Sequence, residues 1–205
     1  MNEIVLRGII RDIRPSHTVN GIEYYQADVI TQRKDKKEDT TVIKFKKHVN
    51  KYKELDEVEL VGNIRSYTES LDNGKNKVHI YVFTYQDFPD SAKYTDDLNN
   101  FFVIDGRICK LNELRTTLDG KKNIHFTIAN NIYTTNGQKI NNYLPVTCWG
   151  KLAQLVSNMN INDRVLIQGE MHSRMYHKID SFGKKEYNIA YELLMTQIEK
   201  LNEDE

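Results

Sequence analysis

The sequence predicts an all-β chain folded as two small barrels in tandem. Three observations lead there. The second half repeats the first, the segments between turn signals are short and rich in β-branched and aromatic residues, and an acidic, turn-prone stretch separates the repeats.

Each repeat opens on an apolar run closing in glycine, Ile4-Val5-Leu6-Arg7-Gly8 and Phe102-Val103-Ile104-Asp105-Gly106. Each then reaches an arginine (Arg14, Arg115) and turns at a glycine (Gly21, Gly120). Later strands follow at Val58–Ser66 and Val165–Ser173, with Gly62 and Gly169 inside them. The next turns fall at Asn73-Gly74-Lys75 and Phe182-Gly183-Lys184, ahead of last strands at Val78–Phe83 and Tyr187–Leu193. Lys47–Glu54 and Lys151–Asn158 read as short helices between the third and fourth strands of each repeat. Five strands with a helix at that point is the order of an OB-fold barrel. The expected division is a first barrel over 1–88, an acidic linker over 89–99, a second barrel over 100–198 and a short acidic tail over 199–205. A single barrel of more than ten strands matches the strand count but not the repeat.

Of the 205 residues 39% are hydrophobic and 28% charged, the balance of a folded soluble chain. No apolar run approaches the ~20 residues of a membrane span, and the first residues carry no export signal. The two cysteines, Cys109 and Cys148, lie within apolar segments, so a reducing cytoplasm is expected. Net charge is zero but unevenly spread: residues 1–88 hold fifteen basic against fourteen acidic side chains, residues 100–198 twelve against eight. A basic groove on the second repeat is compatible with overall neutrality, because distant charges are screened.

Strand alternation sorts the third strand of the second repeat into two faces. Leu144, Val146 and Cys148 form a core face; Tyr143, Pro145, Thr147 and Trp149 point outward. In the preceding strand Ile124, Phe126 and Ile128 face the core, leaving Tyr133 beyond the other face. Arg174 and Tyr176 share the outward parity of the fourth strand. Large rings placed outside a barrel await something that stacks on them.

The run Leu144-Pro145-Val146-Thr147-Cys148-Trp149-Gly150-Lys151-Leu152-Ala153 resembles the third strand and helix start of bacterial single-stranded-DNA-binding proteins. The similarity extends to Glu113-Leu114-Arg115 with Gly120, to Phe126–Ala129, and to the strand through Gly169 into Ser173-Arg174-Met175-Tyr176; it covers nearly all of residues 100–198. It implies bases stacking at four positions that fall on Tyr133, Tyr143, Trp149 and Tyr176, with Tyr133 one residue off the family spacing. It implies phosphate contacts from Arg115 and Arg174, at matching positions, with Lys110, Lys121, Lys122, Lys151, Lys178, Lys184 and Lys185 as further candidates. It also implies a non-catalytic protein without cofactor, acting on single-stranded DNA in replication, recombination or repair, and a homodimer bringing four OB folds together. The family's long tail with an acidic tip closing on an aromatic is not matched, since Leu201–Glu205 is acidic but short and lacks the ring.

The first repeat matches only in outline: Thr41-Val42-Ile43-Lys44-Phe45-Lys46-Lys47 has no tryptophan and no Gly-Lys-Leu-Ala. Length matching sets Phe45 against Trp149. Alternation instead sends Ile43 and Phe45 to the core and Val42, Lys44 and Lys46 outward, and is preferred. Lys44 and Lys46 then form a basic strip with Arg33, Lys34, Lys36 and Lys37, with Tyr67 and Tyr81 as its few candidate rings. Two readings stand for that strip: a hold on the nucleic-acid backbone, or a solvated and assembly surface.

Gly150-Lys151-Leu152 and Gly120-Lys121-Lys122 lack the spacing and hydroxyl of a phosphate loop, and no paired carboxylates suggest acid–base catalysis. His172 and His177 have opposite strand parity and Cys148 belongs to the core, so no metal site is expected. The alternative functions are a protein-interaction scaffold of a replication or primosome complex and single-stranded RNA binding. The outward aromatics favour nucleic acid over a scaffold.

Overall fold

The computed structural model describes residues 1–47, 52–71, 74, 76–87, 99–133, 137–179, 183 and 185–202, apart from the side chains of 85–87, 178, 186 and 187. Five strands come from the first half: β1 (Asn2–Val19), β2 (Ile22–Gln32), β3 (Glu38–Lys46), β4 (Glu57–Ser70) and β5 (Asn76–Asp87). The second half supplies β6 (Asn100–Leu111), the two-residue β7 (Arg115–Thr116), β8 (Lys122–Tyr133), β9 (Lys139–Trp149), helix α1 (Gly150–Val156), β10 (Arg164–Ile179) and β11 (Lys185–Lys200). No helix among the described residues is long and apolar enough to cross a membrane.

The pairings close two rings. In the first, β1 pairs β2, β2 pairs β3, β3 pairs β5 in parallel, β5 pairs β4, and β4 returns to β1. The second repeats this order through β6, β8, β9, β11 and β10, again with one parallel contact, between β9 and β11. Alternation puts Ile10, Ile43, Phe45, Leu60 and Val82 inside the first ring and Ile104, Ile124, Phe126, Leu144, Val146, Cys148 and Leu193 inside the second, all nearly or fully buried.

Three expectations change. The opening strands do not end at their glycines: β1 pairs with β4 up to Ile9 and with β2 from Ile9 onward, so Gly8 marks the point where one strand changes partners. A Cβ there would stand 2.1 Å from the Ile30 carbonyl oxygen, and one on Gly169 2.0 Å from that of Leu194, which is why both strands need glycine at the bend. The helix of the second half is Gly150–Val156, with Ser157 and Asn158 in a turn. Of the helix expected over Lys47–Glu54, residues 48–51 lie outside the described residues. The ends at Lys47 and Tyr52–Glu54 are not helical, and α1 is the one helix among the described residues. Of the linker expected over 89–99, residues 89–98 lie outside the described residues, as do residue 88 and the last three, while β11 runs seven residues beyond the strand end expected at Leu193, to Lys200.

The rings are joined by an antiparallel ladder between β1 and β6, centred on Ile4 opposite Phe102. These two residues hold equivalent places in the repeat, each opposite the glycine of its own fourth strand, Gly62 and Gly169. The rings are therefore related by an approximate twofold axis through the ladder. Buried Asn2 and Asn100, again equivalent, anchor each fourth strand just past its bulge. Asn2 Nδ2 donates to Ile64 O at 2.8 Å and its Oδ1 accepts from Ile64 N at 2.9 Å. Asn100 Nδ2 donates to Met171 O at 2.5 Å and its Oδ1 accepts from Met171 N at 3.0 Å. Asn2 Nδ2 also reaches Asn130 Oδ1 at 2.8 Å, tying the rings together.

Replacing Asn100 or Asn2 by alanine strands a buried amide and carbonyl, so each change is expected to lower stability by about 1–3 kcal/mol. Urea unfolding measures this, and midpoints equal to the wild type would contradict the anchoring role.

Candidate nucleic-acid interface

Residues paired across antiparallel strands share a face. In the continuous β8–β9 register Trp149 lies opposite Asn123, Tyr143 opposite Ala129 and Tyr133 opposite Lys139. The three rings thus share the outer face of the second ring, with Trp149 41% exposed, Tyr143 53% and Tyr133 66%. Trp149 and Tyr143 stand six residues apart on one strand, ~20 Å. Thr147 has the outward parity but is only 4% exposed, because it lies opposite His125 and shares a 2.7 Å hydrogen bond with its Nδ1.

Trp149 occupies a corner. Its backbone is extended, and Gly150 at φ +62° turns the chain into α1, a conformation that favours glycine. Each position of the Gly-Lys-Leu-Ala segment has a local reason: Gly150 makes the turn, Lys151 stays exposed, Leu152 packs partly buried against the core and Ala153 is buried. Lys121, Lys122 and Lys151 line one cleft with Trp149. Arg115 pairs with Asn123, which pairs with Trp149, so these three form a row on one face. Asn123 Oδ1 is buried in that row without a hydrogen-bond partner among the described residues. Lys121 is less available than its neighbours, being 3.3 Å from Asp119, whose carboxyl is held below its ordinary range by hydrogen bonds from Thr117 and then Lys121.

The remaining candidates are spread wider. Lys110 is exposed on β6 opposite Thr127. Arg174 opens into a separate cleft with Arg33, Lys37 and His125 at the seam between the rings. Lys185 is exposed at the start of β11, whereas the side chain of Lys178 and all of Lys184 lie outside the described residues. Tyr176 is not grouped with Trp149. It lines a groove whose other wall is the first ring, with Lys44, Tyr67 and Tyr81.

The single-strand binding protein family model matches residues 98–200, half of the chain. Single-stranded DNA-binding protein 1 of Clostridium acetobutylicum is 33% identical over 94 residues, covering 43% of this chain and 82% of that protein. The chain belongs to the single-strand binding protein family. Two crystal structures of the single-stranded DNA-binding protein of Thermus aquaticus share the fold over both rings. A deletion variant covers 100% of this chain and 96% of its own, the wild type 98% and 93%, each at TM-score 0.68 and 13% identity.

The family match lies in the second ring, yet the first ring carries rings and cations on the same outer face. Ile43 and Phe45 are buried, 0% and 2% exposed, and the parallel register makes Ile43 the counterpart of Val146. Lys46, not Phe45, therefore stands where the second ring has Trp149. Neighbouring strands present Tyr24, Arg65, Tyr67, His79, Tyr81 and Phe83 outward as well. His17 stacks on Tyr24 and His79 on Tyr67, both at 4.7 Å, and Arg65 lies 3.9 Å above Phe83. Expecting few rings here missed Tyr24 and Phe83. The alternation of Arg65-Ser66-Tyr67 and His79-Ile80-Tyr81-Val82-Phe83 was the available signal. In the strip expected around Arg33 and Lys37, Arg33 is paired with Asp39 and Lys37 with Asp35.

Cys148 sits between Thr147 and Trp149 on the buried side of β9, and burial pushes its thiol up to about 12. A thiol reagent at neutral pH is expected to label Cys109, which is exposed, and to reach Cys148 only after denaturation. Two thiols titrating at equal rates in the native protein would mean that β9 opens readily and cannot hold Trp149 in place.

Proposed function

We propose that the chain binds single-stranded DNA without regard to sequence and without catalysis, as a tandem of two OB folds over 1–88 and 100–198 joined by the 89–99 linker. Bases stack on Trp149, Tyr143, Tyr133 and Tyr176, while Arg115, Arg174 and the lysines around Trp149 follow the phosphates. The observation that carries the reading is Trp149: a half-exposed indole at a rigid corner, among Lys121, Lys122 and Lys151, within the segment matched by the family. Every base offers a π-face, so stacking tolerates any sequence and contributes ~1–3 kcal/mol per base. Lysines and arginines add a salt-dependent attraction by releasing counterions from the strand. Such a protein serves replication, recombination or repair in the cytoplasm, and a homodimer would present four barrels to one strand. The Clostridium relative carries single-stranded DNA binding in its name, which supports this assignment.

Trp149 is the sole tryptophan, so its emission reports the site directly. Saturating poly-dT is expected to quench it, and Trp149→Ala to weaken binding by about 1–3 kcal/mol while the melting temperature holds. Unchanged emission at saturation would place the bases elsewhere. Duplex DNA should compete poorly, because its bases are already stacked on each other.

A further inference from the structure

We propose that the outer face of the first ring, walled by the β10–β11 hairpin of the second, is a second base-stacking groove for the same strand, with Lys44 as its phosphate contact. The inference takes the identity of the ligand from the reading above and adds a site on the opposite ring.

Charge pairing is the first argument. Three cations at the rim of the first ring are matched by carboxylates: Arg33 with Asp39, Arg14 with Asp12 and Asp28, Lys47 with Glu23. The two at its centre are not. Lys44 Nζ lies 4.5 Å from the Tyr81 ring centre and 5.3 Å from that of Tyr67, and has no carboxylate partner among the described residues. Arg65 packs on Phe83 and hydrogen-bonds Tyr81, while its Nε is buried without a hydrogen-bond partner among the described residues. A half-buried ammonium resting on rings, with no acid partner among the described residues, suits an incoming anion. Burial lowers the Lys44 pKa, and a phosphate beside it would offset that cost.

Shape is the second. Tyr67 is 47% exposed and lies flush on His79, 5° from parallel, a flat platform of two rings at the mouth of the groove. Purely structural aromatics would be covered. The far wall belongs to the other ring: Lys77 Nζ donates to Asn188 Oδ1 at 2.8 Å, Val42 N donates to the Tyr191 hydroxyl at 3.1 Å, and Tyr176 lines the same groove. The groove is complete only when both rings are docked, and a strand lying in it passes directly onto the second ring. Alternating rings and cations along an open groove fit consecutive bases and phosphates, whereas an acidic peptide would satisfy the cations and leave the flat ring faces unused.

The test uses the full chain and fluorescence anisotropy with an oligo-dT long enough to span both rings, titrated with salt. Tyr67→Ala is expected to weaken binding roughly fivefold or more, by loss of one stacked base. Tyr67→Phe, which keeps the ring, should bind like the wild type. Lys44→Gln should weaken binding and make the slope of log affinity against log salt shallower by about 0.7, one single-strand phosphate. Thermal melting checks that each variant stays folded. If Tyr67→Ala and Lys44→Gln bind as the wild type does while Trp149→Ala is weakened, the groove carries no strand and the reading of the second ring stands alone. If all three are silent, both proposals fall. Weakening by Tyr67→Ala that Tyr67→Phe does not restore would also overturn the stacking role.

Discussion

The ladder between β1 and β6 is the constraint on which the rest of the molecule depends. Each of these strands pairs on one side within its own ring and on the other with its counterpart, so neither ring has a free edge there. Because the ladder is centred on equivalent residues, Ile4 and Phe102, the two rings face each other about a twofold axis and every contact near it comes in pairs. Ser66 on β4 receives Tyr143 N at its Oγ (2.9 Å) and donates its own N–H to Asn142 Oδ1 (3.1 Å). Ser173, its counterpart on β10, receives Thr40 N at 2.8 Å and donates its N–H to Asp39 Oδ1. Each fourth strand thereby grips the third strand of the other ring, the strand that carries outward residues to the candidate interface.

On this shared frame the two outer faces have diverged in chemistry. The second ring places its rings at the rim, with Trp149 at the α1 corner and Tyr133 and Tyr143 along the hairpin, while Thr147, Ala190 and Glu192 occupy the middle. The first ring reverses this. Arg14, Arg33 and Lys47 at its rim are tied to carboxylates, and its centre holds Lys44, Arg65 and the tyrosines. The second ring's net charge of +4 is therefore a poor guide to where a strand would lie, because what acts at a phosphate is local, unpaired charge.

Period-two alternation made much of this legible before any coordinates. It sorted Leu144, Val146 and Cys148 from Tyr143 and Trp149, and it sent Ile43 and Phe45 to the core of the first ring, where both are buried. Buried strands tolerate no register slip, so the pattern is strict wherever one face is core. What the sequence concealed involves partners distant along the chain. The ladder of β1 on β6 joins two ordinary apolar strands that carry no pairing signature. The cluster of Tyr67, His79, Tyr81 and Lys44 is assembled from three strands and forms no linear motif. The separation of Tyr176 from Trp149 follows from the hairpin crossing the seam. The apolar run closing at Gly8 suggests a strand end because glycine commonly marks a turn, whereas here the glycine permits the close approach of the Ile30 carbonyl and the strand continues.

The central claim is that one strand runs over both outer faces, crossing the seam that the ladder creates. Photocrosslinking of the full chain to an oligonucleotide carrying 5-iododeoxyuridine, with adducts mapped by mass spectrometry, tests it most directly. The account predicts adducts on Trp149 or Tyr143 of the second ring and on Tyr67 or Tyr81 of the first. Adducts confined to the second ring would contradict a path across the seam, and adducts absent from both faces would contradict the interface itself.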